Sequence, residues 1–168
     1  MNDVRPVWGR MARSLHWLMA AMLILQWATG EWDDLLGVRF HVSLGVIVLL
    51  LALFRLGWRV THKAPERAGP VTLPDRIAGL VHGLFYVVMV ALPITGIVWR
   101  QAREKAVDVF GLFSLPQFVE PSKELAKQMH DLHELGATVF LVLLGLHVLG
   151  VLKRVFIDQD DTLKRMIG

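Results

Sequence analysis

Cysteine is absent from this 168-residue chain, and tyrosine occurs only once, against six tryptophans. The lack of cysteine excludes disulfides, thiolate metal sites and a cysteine nucleophile, so any metal or redox chemistry must use histidine, carboxylates or a bound cofactor. Charged residues are also scarce, at 20%, whereas hydrophobic residues make up 54% and the mean hydropathy is +0.48. This composition is typical of a membrane protein rather than a soluble domain.

Long apolar runs account for most of the chain. A helix needs about 20 apolar residues to cross roughly 30 Å of hydrocarbon. Four stretches reach that length, at about 14–31, 40–58, 77–99 and 132–153. The second contains Arg55, whose stem is expected to lie along the helix while its guanidinium reaches the headgroups. The sequence therefore predicts one all-α domain, residues 1–168, folded as an integral membrane four-helix bundle.

The basic residues lie between the apolar runs and predict an orientation. With four spans, both termini and the middle loop share one side, which carries twelve lysines and arginines against six on the other. The positive-inside rule then predicts that both termini are cytoplasmic. The net charge of +3 is explained by this topology, so no nucleic-acid partner is expected. The longer outer loop carries Phe110, Phe113 and Phe118, which predict a cap on the bundle.

Five of the seven histidines fall in or at the edges of the predicted spans. His41 and His133, here called the histidine pair, lie toward the outer ends. His16, His82 and His147, the histidine trio, lie toward the cytoplasmic ends. His133 and His147 are fourteen residues apart on one helix, which places them within about 40° of the same face and roughly 21 Å apart. Two metal centres stacked across the membrane are therefore predicted.

Haem b suits such centres best. Its iron takes two neutral imidazoles on opposite sides of the porphyrin, and its apolar ring belongs in a bundle core. Small residues beside the histidines would leave room for the flat ring. The candidates are Gly45, Gly83, Gly136, Gly145 and Gly150.

Other interpretations of these residues remain open. An intramembrane histidine is often an interhelical hydrogen-bonding residue or a substrate contact, and glycines at helical spacing often serve helix packing. His130, His133 and Glu134 resemble a zinc or di-iron fragment but lack the paired Glu-x-x-His motifs of such a site. Met19, Met22 and Met89 are alternative axial ligands, although packing explains each of them as well.

Five stretches carry a family resemblance: "RSLHWLMA", "FHVSLG", "HGLFYVVMVALPITGIV", "LHELGATVFLVLLGLH" and the tail "DDTLKRMIG". With them, the sequence resembles the bacterial cytochrome b561 family of di-haem four-helix membrane cytochromes. The resemblance covers most of the chain outside its two longer loops. It implies two haem b groups, with His41 and His133 as axial ligands of the outer one and His16 and His147 of the inner one.

His82 is then a third histidine near the cytoplasmic ends of the spans. It cannot bind an iron that already has His16 and His147 as axial ligands. We expect it to contact a haem propionate or a quinone, with replacement of His16 as ligand as the alternative. Propionates need cations. The expected partners are Arg10 and Arg13 on the inner side and Arg39 and Arg100 on the outer side, with Arg76, Lys127, Lys153 and Arg154 as further candidates.

The resemblance implies an oxidoreductase in the lipid of the bacterial cytoplasmic (inner) membrane, a multi-pass protein with ubiquinone as electron acceptor. Relatives of this kind oxidise superoxide at the outer face. Outer-loop cations such as Arg103, Lys105 and Lys123 are suited to steering a small anion, although nearby carboxylates almost cancel their charge. Two alternatives stay open: a haem b relay subunit for a separate dehydrogenase or hydrogenase, and a haem-free transporter or structural bundle.

Overall fold

The computed structural model describes residues 8–62 and 71–167, which are mostly helical. The helices are α1 (Arg10–Glu31), α2 (Asp33–Thr61), α3 (Leu73–Ala102), α4 (Lys123–Phe156) and the short α5 (Lys164–Ile167). Two short strands, β1 (Asp108–Val109) and β2 (Phe113–Ser114), lie between α3 and α4. Three of the twelve basic residues used to predict the orientation, Arg5, Lys63 and Arg67, lie outside the described residues.

Local signals set the ends of the long helices. Thr72 and Asp75 form a capping box at the start of α3, and the Ser122 hydroxyl accepts a hydrogen bond from the Leu125 amide at the start of α4. Gly37 interrupts the first turn of α2 with a φ of 76°, a left-handed conformation that favours glycine. The chain thereby reverses between α1 and the main part of α2 within a few residues.

The four long helices pack in chain order, α1 on α2, α2 on α3 and α3 on α4. One buried cluster joins the first three helices through Met19, Leu44, Val48, Ala52 and Met89. A second joins α3 to α4 around Phe140, with Leu23 and Trp27 of α1 packed against it. The α1 and α4 backbones approach each other less closely than any of the three sequential pairs. Helix α1 meets α4 through side chains, as in the contact of His16 with His147.

Three of the described helices are long and apolar enough to cross a membrane: α2 from Asp34, α3 and α4. The structure therefore supports the prediction of a membrane protein, with three helices of the length and apolarity that a membrane span needs. Helix α1 contains most of the first predicted span and has 22 residues, but it does not reach the same apolarity. His16 and Gln26 lower its hydropathy, and both residues contact the candidate site described below.

The loop between α3 and α4 covers one end of the helices as a β-hairpin, with Val109 opposite Phe113. Val107 and Val109 are buried against Val46 of α2. The phenylalanines contribute less than the sequence suggested, because Phe113 is 55% exposed and only Phe110 stacks edge-on against Phe40. The hairpin is therefore anchored on α2 by buried valines rather than by its phenylalanines.

The C-terminal segment folds back beside the start of α1. Arg154 donates to Asp75 at 2.6 Å and to Asp160 at 3.1 Å, and the Trp17 indole donates to the Met166 carbonyl at 3.1 Å. The Arg154 guanidinium thus joins the start of α3 to the end of α4 and to the tail.

Candidate functional site

The histidine pair is brought together near the hairpin end of the helices. The ring centroids of His41 on α2 and His133 on α4 lie 6.2 Å apart, with an interplanar angle of 77°. Both side chains are only partly exposed. Two imidazoles from different helices therefore face each other across a narrow gap.

Both rings of the pair have the same protonation pattern. Nδ1 of His41 lies 3.1 Å from the Gln26 carbonyl oxygen, and Nδ1 of His133 lies 3.0 Å from the Leu92 carbonyl oxygen. A carbonyl oxygen only accepts, so Nδ1 must carry the proton in each neutral ring. The lone pair then lies on Nε2, which is the nitrogen that a metal would bind.

The histidine trio lies near the other end of α4. The His16 and His147 centroids are 6.2 Å apart, and those of His82 and His147 are 5.2 Å apart. His147 thus contacts both of its neighbours. Phe85 closes one side of the cluster, 5.8 Å from His147.

These distances test whether the residues fit the expected cofactor. Two imidazoles bound to opposite sides of one metal at about 2.0–2.1 Å, with ring centres about 1 Å farther out, have centroids roughly 6 Å apart. His41 with His133 and His16 with His147 both match this spacing at 6.2 Å. The contact of His82 with His147 is shorter, at 5.2 Å. The centroid spacings therefore match those of two imidazoles on one metal, and they favour His16 over His82 as a ligand. In the histidine pair carbonyls face Nδ1, whereas the Arg55 guanidinium, which only donates, lies 3.3 Å from Nδ1 of His16.

An unsatisfied polar atom also lies beside the pair. The Gln26 amide nitrogen is 3.2 Å from Nε2 of His41, whereas the buried Gln26 Oε1 has no hydrogen-bond partner among the described residues. A buried amide oxygen without a partner is costly. Gln26 therefore contacts His41 through its amide nitrogen, whereas its Oε1 is left without a partner among the described residues. A single glutamine in an apolar run gives no distinctive signal in the sequence.

The cations predicted to bind haem propionates lie in different parts of the structure. Arg39 and Arg100 line one cavity of about 270 Å³ together with Lys105 and Asp108. Arg100 also donates to the Ala106 carbonyl, at 3.0 and 3.2 Å. This cavity, here called the basic cavity, lies beside the hairpin. Arg10 and Arg13 lie in the first turn of α1, before His16.

Several further cations differ from expectation because carboxylates already bind them. Arg154 pairs with Asp75 and Asp160, Lys153 pairs with Asp158 at 2.7 Å, and Lys127 pairs with Asp131. Arg55 does not only serve as an interfacial residue, because its Nη2 lies 3.3 Å from Nδ1 of His16. The guanidinium reaches the histidine trio since it lies on the face of α2 that meets α1.

Two of the small residues predicted to give room for haem are approached closely by side chains of neighbouring helices. A Cβ on Gly136 would lie 2.8 Å from Leu92 Cδ2, and one on Gly45 would lie 3.3 Å from Gln26 Nε2. At Gly83, Gly145 and Gly150 an added Cβ meets nothing within 4 Å. Gly136 and Gly45 are therefore small because side chains of neighbouring helices approach them.

The zinc interpretation of His130, His133 and Glu134 finds no support in residues 8–62 and 71–167. No group of three or more His, Asp or Glu side chains there has an arrangement that holds a metal ion. His130 instead lies 3.6 Å from Glu134, and Trp99 packs between the two histidines, 4.4 Å from His130 and 6.3 Å from His133. The indole thus lies between His133 and an open groove, which Trp99 lines together with Arg103 and residues at the start of α4.

Comparison with known proteins identifies relatives over nearly the whole chain. A family model described as prokaryotic cytochrome b561 matches residues 7–168. Cytochrome b561 homolog 2 of Escherichia coli is 30% identical over 96% of this chain and 91% of its own. The probable superoxide oxidase CybB of Yersinia pestis is 27% identical over 91% of each chain. Cytochrome b562 of Cereibacter sphaeroides is 29% identical over 54% of this chain and 65% of its own.

Proposed function

Because the chain belongs to the prokaryotic cytochrome b561 family, we propose that it is a di-haem b oxidoreductase of the bacterial inner membrane that passes electrons from superoxide to ubiquinone. Membership makes it a membrane cytochrome of electron transfer, and the family implies haem b. The probable superoxide oxidase of Yersinia pestis supports the donor that we name. The observation that carries the proposal is the 6.2 Å centroid spacing in two separate histidine clusters.

In this proposal His41 and His133 hold one haem, and His16 and His147 hold the other. When bound, the haems supply one-electron centres that change between ferric and ferrous iron. The chain's part is to orient the imidazoles and exclude water. Because the Nδ1 atoms of His41 and His133 face backbone carbonyls, each Nε2 would be the nitrogen that binds the metal, and the Gln26 amide nitrogen 3.2 Å from Nε2 of His41 would have to move aside. His82 remains beside His147, where a propionate or quinone contact is its proposed role.

The overall reaction must balance electrons and protons. Each superoxide loses one electron and leaves as O₂, and ubiquinone takes up two electrons and two protons to become ubiquinol. Two superoxide anions are therefore consumed for each ubiquinone reduced. With both termini in the cytoplasm, the histidine pair and the basic cavity would face the outer side, where superoxide would arrive.

Rapid mixing tests this function directly. When purified oxidised protein is mixed rapidly with superoxide, its absorption spectrum should change to that of ferrous haem. Adding a ubiquinone analogue should then reoxidise the haem. Reduction only by a separate dehydrogenase or hydrogenase, with none by superoxide, would contradict the proposed donor and favour the relay-subunit alternative.

The basic cavity predicts how superoxide is drawn in. Arg39 and Lys105 face the same 270 Å³ space, and charge focused in a cleft raises the association rate of an anion by about tenfold or more. We expect the double variant Arg39→Gln with Lys105→Gln to lower the second-order rate of haem reduction by superoxide about tenfold at low salt. The difference in rate between the double variant and the wild type should decrease as ionic strength rises, because salt screens the attraction between these cations and superoxide.

Lys164→Gln is the control for the loss of one positive charge, to be compared also with Arg39→Gln and Lys105→Gln as single variants, since Lys164 is exposed on α5 at the other end of the molecule. Its rate should equal that of the wild type at every salt concentration. Equal rates for the double variant and this control would show that the basic cavity does not steer the donor.

A further inference from the structure

Both members of the histidine pair rest against the same short motif on the preceding helix. Residues 26–30 of α1 read QWATG and residues 92–96 of α3 read LPITG. In each, a carbonyl, a threonine three residues later and the following glycine surround one imidazole. We call each arrangement a Thr-Gly cradle.

The first cradle holds His41. The Thr29 hydroxyl donates to the Gln26 carbonyl at 3.1 Å, and Thr29 Oγ1 lies 3.2 Å from Nδ1 of His41. Thr29 is 1% exposed, so water does not compete for its hydroxyl. Because the hydroxyl proton is used on the carbonyl, Oγ1 offers its lone pair to the Nδ1 proton. Gly30 lets the ring lie directly on α1.

The second cradle repeats these contacts around His133. The Thr95 hydroxyl donates to the Leu92 carbonyl at 2.8 Å, and its Oγ1 lies 3.1 Å from Nδ1 of His133. Gly96 lies below the ring, where a Cβ would come 3.1 Å from Cε1. Two helices that differ in the rest of their sequence thus present one geometry to two imidazoles.

We propose that Thr29 and Thr95 are positioning residues that fix the tautomer of the histidine pair and lower the reduction potential of the haem it binds. The proposal rests on the haem ligation proposed above. A hydrogen bond accepted from Nδ1–H makes an imidazole a more basic ligand, which favours ferric over ferrous iron. The carbonyl and the hydroxyl share this role at each ring, so losing the hydroxyl weakens the interaction without abolishing it.

Isosteric variants test the hydroxyls without changing the packing volume. A hydrogen bond contributes about 0.5–1.5 kcal/mol net. We therefore expect Thr29→Val and Thr95→Val each to shift the ferric-to-ferrous equilibrium of the pair haem about three- to tenfold toward ferrous iron. A tenfold shift is about 59 mV for a one-electron couple. Potentiometric titration followed by absorption measures both haems, and the haem of the trio serves as an internal reference whose potential should not move.

Thr138→Val is the matched control, because the Thr138 hydroxyl donates in a similar way to the Glu134 carbonyl but is exposed on the surface of α4. Thr29→Ser keeps the hydroxyl and should restore the wild-type potential. If Thr29→Val lowers the haem content, the haem content of Thr29→Ser decides the question. Wild-type haem content in Thr29→Ser supports the Thr-Gly cradle, and a haem content as low as that of Thr29→Val contradicts it.

The outcomes separate this proposal from the function on which it rests. Two bound haems with unchanged potentials in both valine variants would overturn the cradle and leave the cytochrome intact. A wild-type protein without haem would refute both. Equal shifts in the Thr138→Val control would also overturn the cradle, since they would show a general effect of losing a helix hydroxyl.

Discussion

Replacing His133 with alanine is expected to halve the haem content of the purified protein. The ring lies 6.2 Å from His41 on another helix, so its loss leaves one haem with a single axial ligand. The second proposed haem would be held by His16 and His147, the latter about 21 Å from His133 along α4, and should stay bound. The pyridine haemochrome assay gives haem per chain, and circular dichroism confirms that the variant is folded.

His41→Ala should give the same loss, and the double variant should lose no more than either single one, because both residues bind the same haem. Loss of both haems in a folded His133→Ala protein would contradict two independent centres. Retention of both haems would contradict ligation by His133.

Variants of the histidine trio determine whether His16 or His82 is the haem ligand opposite His147. His16→Ala should lose one haem, since its 6.2 Å spacing to His147 equals that of the pair. His82→Ala should keep both haems, because its 5.2 Å centroid spacing to His147 is shorter than the roughly 6 Å expected for two imidazoles on one iron. Absorption and electron paramagnetic resonance spectra distinguish the two variants. The reverse pattern would assign the ligand role to His82.

Gly30→Ala is expected to have an effect almost as large as the histidine variants. A Cβ at this position would lie 2.8 Å from Cε1 of His41, well inside van der Waals contact. The ring is also held at Nδ1 by the Gln26 carbonyl, so it moves away only by breaking that bond. We expect most of the pair haem to be lost and the trio haem to be retained, as measured by haem per chain.

Gly96→Ala should be milder, because its Cβ would lie 3.1 Å from Cε1 of His133 and a shift of a few tenths of an ångström relieves the contact. Gly57→Ala is the matched control on α2, since an added Cβ there meets nothing within 4 Å. Full haem content in Gly30→Ala, or equal losses in Gly30→Ala and Gly57→Ala, would contradict a ring packed on α1.

Sequence reasoning anticipated the helices and the grouping of the histidines because apolar length and residue spacing are local properties. The fourteen residues between His133 and His147 predicted two clusters, and the structure brings His41 and His16 to them. Ligation of haem by these side chains stays a prediction. Membership of the cytochrome b561 family, also expected from the sequence, is confirmed by the family match.

The contacts that sequence reasoning missed depend on how helices face each other. Arg55 was interpreted as an interfacial residue, but its guanidinium reaches His16 because α2 presents it toward α1. Thr29 and Thr95 went unnoticed as single hydroxyls in apolar runs, although the repeated Thr-Gly step was a usable signal. The hairpin was also missed, since each strand has only two residues and no periodicity to detect.

The number of haems bound per wild-type chain tests the central claim most directly. Purified protein should give two haem b per polypeptide in the pyridine haemochrome assay, one for each histidine cluster with a 6.2 Å spacing. One haem per chain would contradict the two-centre arrangement, and none would favour a haem-free transporter or structural bundle.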